Sequence, residues 1–309
     1  MSTASAPPIR LGAVEWALLF ALSLIWGGSF LFGRLIVRDI PPLTAAAGRV
    51  SIAAAILALV VVAQRGSFPK GFAGWRPYLV MGFINNVVPF TLILWGQKSV
   101  GVGLAAVLNA TTPLFGGLVA HLATDEKLRA NRLAGVMVGI AGVAILVGPG
   151  AVTAIGTHTL AELALIGAAL SYGVAGIYGR RFRTAPPLTS ATCQLTSSTA
   201  MLLPLAALVD RPWALPMPGS AAIASLIALA LLSTAIGYIL FFTIIRRAGG
   251  SNVMLVTLMI PPSAILLGAL VLGETMELGQ FAGAVVIGLA LILIDGRALR
   301  VFGREAGAR

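Results

Sequence analysis

Apolar runs long enough to cross a bilayer recur from residue 13 to residue 296, separated only by short charged or Pro/Gly-rich breaks. A helix needs about 20 apolar residues to span ~30 Å of hydrocarbon. Inside lipid every backbone polar group must be bonded within the protein, so recurring runs of this length are read as helices. Only 10% of the 309 residues are charged, against about a quarter in a soluble chain, too few to coat a water-facing surface. The breaks define ten expected spans, at about 13–33, 42–64, 76–97, 101–123, 131–149, 159–180, 188–209, 220–245, 250–273 and 277–296. The expected fold class is an all-α polytopic membrane protein with ten transmembrane helices. The connections are too short to hold a soluble domain.

The net charge of +11 does not point to nucleic acid, because the basic residues lie in small groups between apolar runs. That is the pattern of positive charge retained on one side of a membrane. Arg10, Arg65, Lys70, Arg76, Lys127, Arg129, Arg132, Arg180, Arg181, Arg183, Arg246, Arg247, Arg297, Arg300, Arg304 and Arg309 share one expected side. Arg34, Arg38, Lys98 and Arg211 share the other, and Arg49 lies within a span. Both termini are therefore expected in the cytoplasm, as an even span count also requires. Arg10 followed by Trp16 to Ile25 is similar to the start of a signal peptide. The apolar stretch continues through Phe32, so it is read as the first span.

The chain also repeats itself. At an offset of 148, Gly101 pairs with Gly249, Pro113 with Pro261, Glu126 with Glu274, Gly135 with Gly283 and Val138 with Val286. At an offset of 145, Pro41-Pro42-Leu43-Thr44 matches Pro186-Pro187-Leu188-Thr189, and at 146 Gly27, Gly33 and Arg34 match Gly173, Gly179 and Arg180. The expected organisation is a cytoplasmic tail at 1–12, a first repeat at 13–149, a second at 159–296 and a basic cytoplasmic tail at 297–309. Five helices per half is an odd number, so the second half enters the membrane from the opposite side. The fold expected is thus two inverted five-helix repeats (5+5), a plan that places a substrate site near the bilayer midplane.

In this arrangement Trp26-Gly27 with Ser29-Phe30, Pro42-Leu43-Thr44 through Arg49, and the Pro113 and Pro261 spans followed by Glu126 or Glu274 and Gly135 or Gly283 recur in order. Together they resemble the EamA-type branch of the drug/metabolite transporter superfamily, over nearly the whole chain. The resemblance implies ten helices in a 5+5 inverted repeat, cytoplasmic termini, and export or exchange of small metabolites across the bacterial inner membrane. It leaves the substrate open. Gln194 stands where an arginine matching Arg49 would complete the repeat, which argues against a symmetric role for Arg49.

Polar groups at mid-span are costly and mark a cavity or a helix contact. The expected pocket is walled by Trp26, Asn85, Asn86, Asn109, Thr112, Tyr172, Ser233, Tyr238 and Thr257. Aromatic faces would pack an apolar substrate body and amides would bond its polar groups. Any single Ser or Thr of this set is also explained as glue between helices. Adjacent residues point about 100° apart on a helix, so only one of Asn85 and Asn86 is expected to face the cavity. Pro89, Pro113 and Pro261 are the candidate helix breaks, since each removes a backbone donor. Arg49 could neutralise a substrate carboxylate, snorkel outward, or bond the carbonyls of a broken neighbour.

None of the ten carboxylates falls at mid-span, where proton-coupled carriers often place one. The expectation is passive export down a gradient, or coupling through peripheral groups such as Glu15 or His121. Uncharged pocket residues suit a neutral or zwitterionic solute, such as an amino acid or an amphipathic drug. No metal, cofactor or nucleic acid is expected, and the partners are a small-molecule substrate and membrane lipid. Small residues such as Gly135, Gly139 and Gly142, or Ala284 and Gly288, fit close helix packing, or a homodimer along the same face. A membrane-embedded transferase or protease acting on lipid or peptide would need acid/base or nucleophilic groups converging at one level. The sequence supplies none: Cys193 has no histidine near it. A scaffolding subunit would not require duplicated mid-span prolines.

Overall fold

The computed structural model describes residues 12–124, 130–147, 157–253 and 255–295. Both terminal tails lie outside them, apart from Gly12, as do Glu126 and Lys127. Ten helices follow the apolar runs: α1 Ala13–Ile36, α2 Pro42–Ala63, α3 Gly71–Gly96, α4 Val102–Ala123, α5 Ala130–Val147, α6 Thr157–Tyr178, α7 Pro187–Val209, α8 Ser220–Ala248, α9 Leu255–Leu272 and α10 Leu278–Asp295. Strands are absent among the described residues. Eight helices have the length and hydropathy to cross a membrane, and α5 and α10 contain the shorter apolar stretches Leu133–Leu146 and Leu278–Ile294. The chain is a multi-pass membrane protein.

The helices begin where the sequence places proline at a first helical position, as at Pro42 and Pro187, because a missing N–H costs nothing there. Three helices begin against a carboxylate from a distant part of the chain. Asp210 accepts from the Thr44 N–H and hydroxyl at 2.8 Å each. Asp39 accepts from the Gly219 N–H at 2.9 Å, and Glu274 from the Val102 N–H at 2.6 Å. Each anion meets the positive end of a helix dipole. These acids hold helix ends at one face of the bundle, which explains their absence from mid-span.

Three helices depart from regular geometry. The α3 ladder widens to π-helix at Phe83–Val87 and the α8 ladder at Leu229–Ile236. In α4, Val102–Asn109 and Thr112–Ala123 are separate segments, with Pro113 in the first turn of the second. Pro113 cannot donate to the carbonyl of Asn109, and the Thr112 hydroxyl takes that acceptor instead at 2.7 Å. By contrast, α9 runs unbroken through Pro261 and Pro262, with the Ser263 hydroxyl bonding Met259 O at 3.0 Å.

Packing follows the small residues. Helices α5 and α10 pack along each other, as do α2 and α7; α1 packs on α9 and α8, while α6 packs on α4 and α3. A Cβ on Gly27 would fall 2.8 Å from Ser263 Cβ, and one on Gly173 would fall 2.8 Å from Gly116 N. On Gly135 it would meet Ile294 at 2.5 Å, and on Gly283 Leu146 at 2.4 Å. Gly139 lies against Leu114 and Gly142 against Ile287, so these glycines serve packing within the chain.

Candidate functional site

A cavity of about 910 Å³ occupies the middle of the bundle. Of the expected wall residues, Trp26, Asn85, Asn109, Thr112, Tyr172, Ser233, Tyr238 and Thr257 line it, with Pro113 and Arg49. Asn86, Pro89 and Pro261 are not among its lining residues. Of the adjacent pair, Asn85 faces the cavity. Asn86 is fully buried and donates to Ser198 Oγ at 2.9 Å, tying α3 to α7.

The two π-helical stretches help to shape the walls. A π turn shifts the local backbone bonds from i→i+4 to i→i+5, and side chains from other helices reach carbonyls within both stretches. The Trp26 indole N–H donates to Ser233 O at 3.1 Å, and the Ser171 hydroxyl to Ile84 O at 2.6 Å. Ser233 in turn donates to Ile25 O at 3.0 Å. Close approach of the indole requires a glycine opposite, since a Cβ on Gly237 would fall 2.6 Å from Trp26 Nε1.

The cavity is aromatic with isolated polar points. Trp26 packs against Phe241 with ring centroids 5.5 Å apart, and Tyr238 stacks near Phe242 at 6.1 Å. Asn85 Nδ2 donates to Gln194 Oε1 at 3.0 Å and reaches Tyr238 at 3.5 Å. Arg49 Nε donates to Thr234 Oγ1 at 2.9 Å, and the guanidinium carbon lies 3.7 Å above the Phe90 ring. No Asp or Glu lines the cavity among the described residues. Three lining residues carry buried polar atoms with no partner among the described residues: Gln97 Oε1, Asn109 Oδ1 and Ser190 Oγ.

The two ends of the cavity differ. At one end its lining includes the α6–α7 connection, where Arg183 and Pro187 are solvent-exposed. At the other end Gln97 is fully buried and donates to Phe30 O at 2.6 Å. Beyond it Arg34 donates to the carbonyls of Gln97 and of Lys98, the latter at 2.9 Å. Arg34 also lies 3.8 Å from Glu274, the carboxylate that holds the start of α4. Sequence reasoning did not place Gln97, Gln194, Ser190, Phe241 or Phe242 in the site. Gln97 adjoins Lys98 and reads as a span end, and a lone Phe among Leu and Ile carries no signal of its own.

Comparison with known proteins places the chain. The model of the EamA-like transporter family matches residues 14–148 and again 159–295. The chain is similar to the uncharacterized transporter YoaV of Bacillus subtilis, at 24% identity over 87% of this chain and 92% of that protein. It is similar to the uncharacterized inner membrane transporter YedA of Escherichia coli, at 27% identity over 89% of each chain. A probable terminal-alkyne amino-acid exporter of Streptantibioticus cattleyicolor is 26% identical over 97% of this chain and 98% of its own. A solved crystal structure superposes with a TM-score of 0.63 at 19% identity, covering 94% of this chain and 99% of that one, a likeness of fold.

Proposed function

The chain belongs to the EamA-like transporter family, and on that footing we propose that it exports or exchanges small amphipathic metabolites by alternating access across the bacterial inner membrane. The observation that carries this reading is the mid-bundle cavity, exposed at the α6–α7 connection and shut at Gln97. About 910 Å³ is within the range that holds a metabolite-sized ligand. Aromatic walls suit an apolar body and the amides of Asn85 and Asn109 suit its polar groups.

An inverted 5+5 repeat is the mechanical half of the proposal. The family match to two successive segments supports it. So does the pairing of contacts: α1 lies on α9 and α8 as α6 lies on α4 and α3, and Gly135 against Ile294 repeats as Gly283 against Leu146. Residues 13–149 and 159–296 would rock against each other about the cavity. The positive-inside charge pattern supports cytoplasmic basic loops, and with that orientation the cavity opens inward. Among the described residues the lining includes no carboxylate that could carry a proton, and Glu15 pairs with Arg247 at 3.0 Å. Passive export therefore fits better than coupling through Glu15.

A membrane-embedded transferase or protease is the other reading, and among the described residues no cluster of His, Cys, Asp and Glu favours it. Purified protein in liposomes, preloaded with a panel of unlabelled amino acids, nucleobases and amphipathic drugs, should show counterflow of at least one labelled solute. Absence of counterflow for every solute, in protein shown to be folded, would sink the transport reading.

A further inference from the structure

The Arg49 guanidinium is held by one nitrogen and one face, and both of its terminal amino groups are unspent. Nε bonds Thr234 Oγ1 at 2.9 Å, and Thr234 is itself fixed through Leu229 O at 3.0 Å. Phe90 supports the ring-like plane at 3.7 Å. An arginine carries five N–H donors and stays protonated in proteins. Neither terminal nitrogen has an acceptor among the described residues, and no carboxylate lines the cavity there. Arg49 is half-buried on the cavity wall, and a ligand that displaces the water around an unpaired charge must replace it with a counter-charge. The planar fork matches a carboxylate with two parallel hydrogen bonds.

The second half of the chain offers no second cation at the matching position. Gln194 occupies the place matching Arg49, is neutral, and its Oε1 accepts from Asn85. Asn85, whose amide bonds Gln194 Oε1 and reaches Tyr238, also lines the cavity and carries no charge that could compete for the guanidinium. We infer that the cavity recognises a monocarboxylate with an apolar or aromatic body, and that Arg49 is the residue that binds its carboxylate. This rests on the transport reading above and narrows its substrate class. Amino acids and their deaminated acids fall inside it, and neutral solutes fall outside.

The test is binding to the full chain in nanodiscs, read by tryptophan fluorescence and calorimetry, with four probes sharing one phenyl body. L-Phenylalanine and 3-phenylpropionate carry the carboxylate; phenylalaninamide and phenethylamine do not. The two acids are expected to bind at least tenfold more tightly than the other two. Arg49→Gln should erase that difference, while Arg49→Lys, which keeps the charge and loses the fork, should retain part of it. Equal binding of all four probes to the unaltered protein would overturn the inference whether or not the variants fold. Binding of none, in protein that still shows counterflow of another solute, would overturn it while leaving transport intact. Discrimination that survives in folded Arg49→Gln would assign the carboxylate seat elsewhere.

Discussion

The indole N–H of Trp26 donates to the main-chain carbonyl of Ser233, 207 residues further along the chain, at 3.1 Å. Ser233 lies inside the π-helical stretch of α8, so the carbonyl is one that an ordinary α-helical ladder would have used internally. The α1 side chain thereby ties α1 to the irregular stretch of α8 while its ring forms cavity wall against Phe241. One residue joins the packing of two helices to the shape of the site.

Trp26→Phe should separate these two roles. The smaller ring keeps an aromatic face but leaves Ser233 O without its donor, at a cost of about 1 kcal/mol. Trp26→Ala removes the wall as well. Thermal unfolding in detergent should show a small loss for Trp26→Phe and a larger one for Trp26→Ala. Counterflow should fall at least tenfold in the alanine variant, and unchanged flux there would remove Trp26 from the pocket.

Gly237→Ala is expected to act through Trp26. Its Cβ would fall 2.6 Å from Nε1, closer than non-bonded atoms tolerate, so the indole must move. In the unaltered background the substitution should reduce counterflow several-fold. In a Trp26→Leu background the added methyl meets no indole and should cost little. A double-mutant cycle on flux and melting temperature reads the coupling, and additive effects would contradict the contact.

Asn85 and Asn86 should divide function from stability. Asn85→Ala removes a cavity-lining amide that bonds Gln194, so it should raise KM by severalfold with a modest change in unfolding temperature. Asn86→Ala leaves Ser198 Oγ without its amide partner between α3 and α7. Such interhelical bonds are worth about 0.6–2 kcal/mol in membranes, so the loss should appear in unfolding with KM unchanged.

The helices were legible because hydrocarbon imposes one length and one backbone solution on every span, and the boundaries at Pro42, Pro187, Ala63 and Val209 agree closely with the apolar runs. Part of the candidate pocket was legible for a related reason: polar side chains are costly at mid-span, and Asn85, Asn109 and Thr112 do line the cavity, whereas Asn86, Pro89 and Pro261 do not. What could not be read is geometry that no single residue encodes. The π-helical turns in α3 and α8 depend on partners such as Trp26 and Ser171 from other helices. The continuity of α9 through Pro261, against the break in α4 before Pro113, is likewise set by neighbours and not by proline alone. Gln97 illustrates the same limit. By sequence it is a span end, yet it is completely buried, its amide bonded to Phe30 O and its carbonyl to Arg34.

The contacts that close the end of the cavity beyond Gln97 should be separable from those that build the fold. Glu274 holds the Val102 N–H and lies near Arg34, but its side chain and that of Arg34 remain about one-quarter exposed (25% and 27%). A pair so exposed contributes under about 1 kcal/mol, and the helix-end contact adds roughly 0.3–1 kcal/mol. Their joint loss in Glu274→Ala is therefore too small to unfold the protein, yet 1–2 kcal/mol shifts a two-state balance by about five- to thirtyfold. Ser29→Cys places a thiol on the cavity wall at a half-buried position, in a Cys193→Ser background that removes the native thiol. Without substrate, a membrane-impermeant maleimide should label it from the side of the α6–α7 connection. Adding Glu274→Ala should increase labelling from the opposite side several-fold, because it weakens only the state in which that side is shut. A labelling ratio left unchanged would mean that Glu274 caps α4 in both states and takes no part in closing the cavity.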